Sequence, residues 1–286
     1  MSDVKLFFKI ADELKITTQQ VKATVDLLDE GGTVPFISRY RKEATGSLDE
    51  VQILAIKTEI ERLRQLEERR KSILKSIDSQ GKLSEELKDK IMEAETLSKL
   101  EDLYLPYKPK RRTKATIAKE KGLEPLALFI LEQKNQAAFE EALKFVDKEK
   151  GVENPEEALD GARDIIAEII SEDAVVRDII REQYKRSAII KSRVIKGKED
   201  AAEKFEDYFE WEEPLANCPS HRMLAMRRGE KEDFLILDII IDEENALHSI
   251  EKKVITSRGE CAEQIKEAIT DGYKRLLSPS IEAEMR

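Results

Sequence analysis

Apolar residues recur every three or four positions along most of this chain, a spacing that places them on one face of an α-helix. The longest such pattern follows the capping box Ser47-x-x-Glu50 and continues without proline or glycine to Gly81. It predicts a single helix over about 48–79, roughly 45 Å long. Its predicted inward-facing positions are Val51, Leu54, Ile56, Ile60, Leu63, Leu66, Ile73 and Ile77.

Shorter patterns of the same kind lie in front of the long helix. Thr17-x-x-Gln20 predicts the start of a helix that ends at Gly31-Gly32, and an earlier apolar stripe predicts a helix before it. Two short helices joined by a brief turn are typical of a helix-turn-helix unit. The second of them carries Lys22 among three acidic residues, which would repel phosphates. We therefore expect a packed helical unit rather than a DNA-reading one.

The rest of the chain predicts further helices and two strands. The helices are expected at about 84–94, 97–104, 125–134, 136–148, 155–171, 174–186 and from 260. The β-branched run 233–241 is the strongest strand pattern. Its candidate partners are the run 189–195, which also fits a helix end, and a strand beyond the C-terminal end of this chain. We expect an aromatic group to lie in the core: Phe205, Tyr208, Phe209 and Trp211.

These patterns predict a mostly α fold. It is an elongated multi-helical scaffold with a long central helix, a helix-turn-helix-like N-terminal unit and a minor β element near 189–195 and 233–241. We expect three regions along the chain. Residues 1–122 form an N-terminal helical domain, 123–200 a middle helical region, and 201–286 a helical region with one short strand that leads into a further, missing part.

The composition indicates the charge of the protein surface and the cellular compartment. The 286 residues carry a net charge of −10, which argues against a positive surface overall but allows a local basic patch. We expect neither a membrane span nor a signal peptide, because no apolar run is long enough and the start of the chain lacks a basic head. The two cysteines, Cys218 and Cys261, fit a reduced, cytoplasmic setting.

The sequence contains few motifs that could form a catalytic or metal-binding site. The motif Cys218-Pro-Ser-His221 supplies ligand types at short spacing, but structural zinc needs four ligands, and Cys261 and His248 are distant in sequence. There is no glycine-rich phosphate loop and no nucleophile elbow. We therefore expect no enzyme, no cofactor, no metal and no small-molecule substrate.

One segment has the opposite charge to the rest of the chain. Residues 104–121, the basic segment, carry seven cations against Glu120, and subtracting this +6 from the net −10 leaves −16 elsewhere. Two prolines and two tyrosines at its front oppose a continuous helix. A rigid basic stretch in an acidic protein suits a polyanion, although many such runs are solvated loops. Its cations are Lys108, Lys110, Arg111, Arg112, Lys114, Lys119 and Lys121.

A second basic group lies between Pro35 and Gly46. Arg39, Tyr40, Arg41 and Lys42, the aromatic–basic cluster, combine cations with a ring, which suits single-stranded nucleic acid. The alternative is structural. In that case Phe36, Ile37 and Tyr40 anchor a loop to the core, and the cations are solvated or paired with Glu43.

Several of these segments resemble the bacterial Tex family of transcription accessory proteins. The matching stretches occur in the family's order and span nearly the whole chain. The basic segment carries the most specific of them, Tyr-Lys-Pro-Lys-Arg-Arg-Thr-Lys-Ala. The stretches are 33–50, 103–116, 161–168, 219–222 with 228–230, and 271–280.

The resemblance implies a role in transcription. Full Tex proteins continue with an RNase-H-like domain, helix-hairpin-helix elements and a C-terminal OB-fold RNA-binding domain, regions that this chain does not include. They are similar to a eukaryotic elongation factor that engages RNA polymerase and histones. The last predicted helix, from Ser278-Pro279, has no closing cap, which fits a fragment cut inside a helix.

We therefore predict that this chain is a scaffold region that makes sequence-independent contacts with the phosphates of RNA or DNA. We expect the binding by this fragment to be weak. RNA polymerase or other transcription factors are candidate partners, and a membrane is not. The alternative is a protein-interaction scaffold that docks the transcription machinery without touching nucleic acid. The candidate nucleic-acid-binding residues are Lys108, Lys110, Arg111, Arg112, Lys114, Arg39, Arg41 and Lys42.

Overall fold

The apolar stripes fold into α-helices, and the predicted mostly helical class with a minor β element is confirmed. The computed structural model describes residues 3–134 and 137–286. It divides into two compact units, Met1–Tyr107 and Lys108–Arg286. Among the described residues, no helix combines the length and the apolar character needed to cross a bilayer. The three-region division stays a prediction.

The first unit is helical throughout. Its long helix packs Ile53, Ile56 and Ile60 against the apolar faces of the first helices to form one core. Farther along the same helix, a second core surrounds Ile73 and Ile77. The helices of this unit are α1 (Asp3–Leu14), α2 (Thr18–Asp29), α3 (Val34–Tyr40), α4 (Lys42–Thr45), α5 (Glu50–Asp78), α6 (Glu85–Glu93) and α7 (Leu97–Tyr104).

Local capping signals fix the helix starts, with one correction. The predicted capping box of Thr17 and Gln20 at α2 is confirmed. The predicted box at Ser47 is wrong, because Asp49 caps α5 through a reciprocal pair with Gln52. Ser47 instead has a left-handed backbone, with φ of 64°, directly after Gly46. The chain therefore turns before the helix begins, and the cap lies two residues later than the pattern suggested.

The second unit is centred on α11, which is in contact with several neighbouring helices. The predicted helix 136–148 is wrong beyond Ala142, where 3₁₀ turns replace the α-helix; residue 136 lies outside the described residues. A helix that the patterns did not predict, α14, begins at the cap Asp242. The helices are α8 (Lys114–Glu120), α9 (Glu124–Glu132), α10 (Ala138–Ala142), α11 (Pro155–Glu172), α12 (Ala174–Ser187), α13 (Ser220–Lys231), α14 (Glu243–Val254), α15 (Glu260–Gly272) and α16 (Ser278–Met285).

Three strands in this unit form an antiparallel sheet in the order β2-β1-β3. The predicted pairing is confirmed, because β1 (Ile189–Val194) pairs with β3 (Leu235–Ile240). The second partner of β1, β2 (Glu210–Pro214), was not predicted, because the aromatic group that includes Trp211 suggested a helical core. Of that aromatic group, Phe205 is buried and Trp211 is half-buried.

At both outer edges of the sheet, some backbone hydrogen-bonding groups are already bound or are missing. On β3, the outward amide of Ile239 donates to a carboxylate oxygen of Glu282 at 3.1 Å, and the carbonyl of Leu237 accepts from Arg286. These two side chains belong to the end of the chain, at and just after α16. On β2, alternation of the ladder turns Pro214 outward, and proline has no amide to offer.

Gly161 of α11 lies against a neighbouring side chain and leaves no space for a Cβ atom. A Cβ on Gly161 would lie 2.3 Å from Cδ1 of Leu123, and Leu123 is fully buried. Alanine favours a helix over glycine by about 1 kcal/mol, but overpacking costs about 1–3 kcal/mol. We expect Gly161→Ala to lower the free energy of unfolding by about 1 kcal/mol net in urea titrations.

The control is a double-mutant cycle with Leu123→Ala, which removes the clashing methyl groups. The double variant should lose less stability than the sum of the two single variants. Strict additivity would show that Leu123 is not what excludes a side chain at position 161.

Candidate nucleic-acid interface

The front of the basic segment is part of the first unit and is held there by its aromatic residues. Tyr104 is buried, and its hydroxyl shares a hydrogen bond of 2.9 Å with Ser76. The guanidinium carbon of Arg69 lies 5.4 Å from the centre of the Tyr104 ring. The carbonyl of Tyr107 accepts a hydrogen bond of 2.9 Å from Gln80. The ring of Tyr104 is therefore not free to stack on a ligand, and the partly buried Tyr107 packs against the second core of this unit.

In the second unit, Lys110 binds two carboxylates of α11. Its Nζ donates to Glu168 at 2.9 Å and to Glu172 at 2.7 Å, and the lysine side chain is only 23% exposed. The hydroxyl of Thr113 donates to the other oxygen of Glu168 at 3.0 Å. Thr113 also caps α8 in a reciprocal pair with Thr116. The middle of the basic segment is therefore fastened to α11 by hydrogen bonds and charge.

The protonation of this ion pair reflects competing effects. Burial opposes the charge of Lys110, but the hydrogen bonds that it donates to Glu172 and Glu168 outweigh this effect and raise the pKa of the lysine. Burial raises the pKa of Glu172 above its ordinary value, and the pairing with Lys110 offsets only part of that shift. Removal of Lys110 would therefore leave a buried carboxylate that already resists ionisation.

Four other cations of the basic segment face solvent, whereas Lys119 pairs with Glu124 at 3.3 Å and Lys121 donates to the carbonyl of Gly151 at 2.7 Å. Lys108, Arg111 and Lys114 are exposed, and none of them forms an ion pair with a carboxylate among residues 3–134 and 137–286. A guanidinium nitrogen of Arg112 lies 3.6 Å from a carboxylate oxygen of Glu120. Because both side chains are largely exposed, this ion pair contributes little to stability. The structure thus separates one buried anchor from four outward cations.

The aromatic–basic cluster lies in the first unit, on α3 and α4. Tyr40 is 67% exposed and Phe36 is 41% exposed, so the structural alternative that both rings anchor the chain is not what is observed. Ile37, between them in sequence, supplies the buried anchor. The two ring centres are 5.5 Å apart, and the guanidinium of Arg41 lies 5.1 Å from the centre of the Phe36 ring.

The cations of this cluster are unpaired. Arg39, Arg41 and Lys42 are exposed, and the described part of the chain places no carboxylate in an ion pair with any of them. Of the two arrangements that the structural alternative allowed for these cations, solvated or paired with Glu43, the structure shows the solvated one. In α2, by contrast, the acidic Asp29 accepts two hydrogen bonds of 2.7 Å from Arg64 of α5. That acid helps to pack the first unit, and its pKa is lowered by those hydrogen bonds.

The sequence did not reveal the two partners of Lys110. Glu168 and Glu172 are 58 and 62 residues away from it along the chain. A signal was available, because Ile165, Glu168 and Glu172 follow one helical stripe that is otherwise apolar. An acid that continues a buried stripe needs a partner. The residue type and position of that partner follow only from the tertiary fold.

The other chemistry considered from the sequence has no assembled site. Burial, with a hydrogen bond to Glu213, raises the pKa of the Cys218 thiol to about 11, which makes it a poor nucleophile. His221 is exposed on α13. Within the ranges that the structure describes, no three His, Cys, Asp or Glu residues are placed to hold a metal ion.

Comparison with known proteins places the chain in a family. Residues 4–78 match the Tex-like protein N-terminal domain, and residues 133–285 match the Tex central region-like model. The transcriptional accessory protein Tex of Neisseria gonorrhoeae is 47% identical over 226 residues, which cover 79% of this chain and 30% of that protein.

Two further relatives extend the comparison. Protein YdcI of Bacillus subtilis is 44% identical over 283 residues, covering 97% of this chain and 39% of the relative. The human S1 RNA-binding domain-containing protein 1 is 28% identical over 277 residues, which cover 92% of this chain and 28% of that protein. The chain thus spans only about a third of the length of these relatives. The two family matches and the identity to bacterial relatives show that this chain belongs to the Tex family.

Proposed function

We propose that this chain supports nucleic-acid binding in transcription by contributing sequence-independent phosphate contacts. The observation that carries the proposal is the set of outward cations in an otherwise acidic chain. Lys108 and Arg111 project without a carboxylate partner among the described residues, beside the weakly paired Arg112 and beside Lys114, which is exposed and interacts electrostatically with Asp164. Unpaired cations keep their full charge for a phosphate, and such contacts carry no base preference.

The names of the relatives support the same assignment. One bacterial relative is a transcriptional accessory protein, and the human relative is named for an RNA-binding domain. In the proposal, Lys110 has a different role from its neighbours. It anchors the basic segment on α11, so that the segment presents its other cations in a fixed conformation, and Arg39, Arg41 and Lys42 add a second group of contacts. No catalytic step is part of the proposal.

The alternative is a protein-interaction scaffold that docks the transcription machinery without direct nucleic-acid contact. The pairing of Lys110 with Glu168 and Glu172 favours it, since one cation of the basic segment is already satisfied by the chain's own acids. The four outward cations favour phosphate contacts instead. The two functions differ in one measurable property, the dependence of nucleic-acid affinity on these side chains.

The anchoring role of Lys110 can be tested by stability. Lys110→Ala leaves Glu168 and Glu172 without their ammonium partner, and we expect a loss of about 1–3 kcal/mol in the free energy of unfolding at pH 7. Lys108→Ala, which removes an exposed lysine, should change it by less than about 0.5 kcal/mol.

The pH dependence of this loss has a definite sign. In the variant, the pKa of Glu172 in the folded state lies further above its ordinary value of 4.5, so its ionisation destabilises the fold at neutral pH. That penalty is relieved as the pH falls toward 4.5 and the carboxyl group takes up a proton. The gap between the wild type and Lys110→Ala should narrow from pH 7 to pH 5. A constant gap would contradict the unpaired-carboxylate explanation.

Charge reversal tests the binding function. Lys108→Glu, Arg111→Glu and Arg112→Glu together should weaken RNA and DNA binding, and should flatten the slope of log affinity against log salt by about 2–3. Fluorescence anisotropy between about 50 and 200 mM salt measures both quantities.

The matched control reverses three exposed cations elsewhere in the same unit, Lys252, Lys253 and Arg258, with the same change in net charge. It should alter affinity and slope much less. Equal effects of the two triple variants would indicate a response to overall charge alone. If affinity and slope stay unchanged in the basic-segment variant, the protein-interaction alternative is favoured.

A further inference from the structure

The aromatic–basic cluster differs from the basic segment in one chemical respect: it exposes rings. Tyr40 is 67% exposed and Phe36 is 41% exposed, four residues apart on α3 and therefore on one side of the helix. Large aromatic side chains are usually buried, because water contact with a ring is costly. Two exposed rings with centres 5.5 Å apart form a local apolar platform.

The surroundings of this platform decide what it would bind. Arg39, Arg41 and Lys42 border it, and no described carboxylate pairs with them. Apolar rings alone would suit an apolar protein segment. Rings bordered by three unpaired cations instead suit a ligand that carries flat π faces and negative charges at short, regular spacing.

Single-stranded nucleic acid is the ligand with both properties. In a duplex the base faces are stacked on one another and only the edges and the backbone are accessible. In a single strand a base can leave the stack and lie on a protein ring or on an arginine plane. The guanidinium carbon of Arg41 already lies over the Phe36 ring, 5.1 Å from its centre, as a cation–π contact within the chain.

We propose that Phe36 and Tyr40 form a base-stacking platform that makes this part of the chain selective for single-stranded over duplex nucleic acid. The inference rests on the proposed function and deepens it: phosphate contacts by the cations supply affinity for any strand, and the rings supply the preference for unpaired bases. Because stacking uses a face that every base has, no sequence preference results.

The experiment compares ring removal with charge removal. Phe36→Leu with Tyr40→Leu keeps apolar volume and charge, and Arg39→Gln, Arg41→Gln and Lys42→Gln together keep the rings. The probe is an RNA of about 12 nucleotides, single-stranded or annealed to its complement, with a DNA of the same sequence as a second arm. We expect the ring variant to lose about tenfold in affinity for the single strand and to bind the duplex unchanged. The charge variant should weaken both.

Controls separate stacking from a general effect of mutation. Phe139→Leu removes a phenyl group with 43% exposure, close to that of Phe36, but next to Glu140 and Glu141 in the second unit, and should not change affinity. Tyr40→Trp keeps a stacking ring and should retain or strengthen single-strand binding. Because both rings are exposed, far-ultraviolet circular dichroism should show unchanged helix content in every variant.

The outcomes distinguish the two proposals. If the charge variant weakens binding but the ring variant does not, the stacking platform is wrong and the phosphate contacts stand. An equal loss on single strand and duplex also overturns the platform, since the rings would then contribute to backbone contact. If neither the charge variant nor the basic-segment variant changes affinity, the proposed function itself fails, and the exposed rings would belong to a protein interface.

Discussion

The close approach of other elements to α11 is the constraint on which the second unit depends. On one side, Gly161 leaves space that the buried Leu123 side chain fills. On another, Gly272 of α15 lies so near that a Cβ there would meet the backbone oxygen of Ala167 at 3.0 Å. Small residues at these positions let helices pack at short distance, and interiors this dense tolerate little added volume. The same helix carries a pair of largely buried carboxylates, Glu168 and Glu172.

Those carboxylates determine how the chain displays its positive charge. Glu168 and Glu172 take one lysine of the basic segment out of solvent, and Thr113 closes the arrangement by capping α8 and binding Glu168. In this unit the segment is therefore ordered by these polar contacts together with the buried Ala115 and Ala118 of α8. A pre-ordered loop loses less conformational entropy when it binds than a flexible one does. The same ion pair thus reduces the number of free cations by one and lowers the entropic cost of using the others.

The helices could be predicted from the sequence wherever the residues that define their ends lie close together along the chain. The boundaries of α5, α7, α11 and α12 follow from apolar spacing and caps that act within a few residues. The start of α5 shifted by two residues because Asp49 and Gln52 offered a second capping box beside the one at Ser47. Strand β2 was missed because a five-residue strand with three exposed positions has almost no pattern of its own and exists through its pairing with β1. The role of Lys110 could not be predicted either, since its partners are brought near only by the fold.

The small sheet has a consequence for how other molecules can approach. A free strand edge invites another chain to add a strand, either in a functional complex or in aggregation. Here Glu282 binds the outward amide of Ile239, Arg286 binds the carbonyl of Leu237, and Pro214 offers no amide on β2. A strand added at β3 would have to displace these two side chains, and one added at β2 would lack a hydrogen bond at Pro214. Both edges therefore oppose extension of the sheet at these positions.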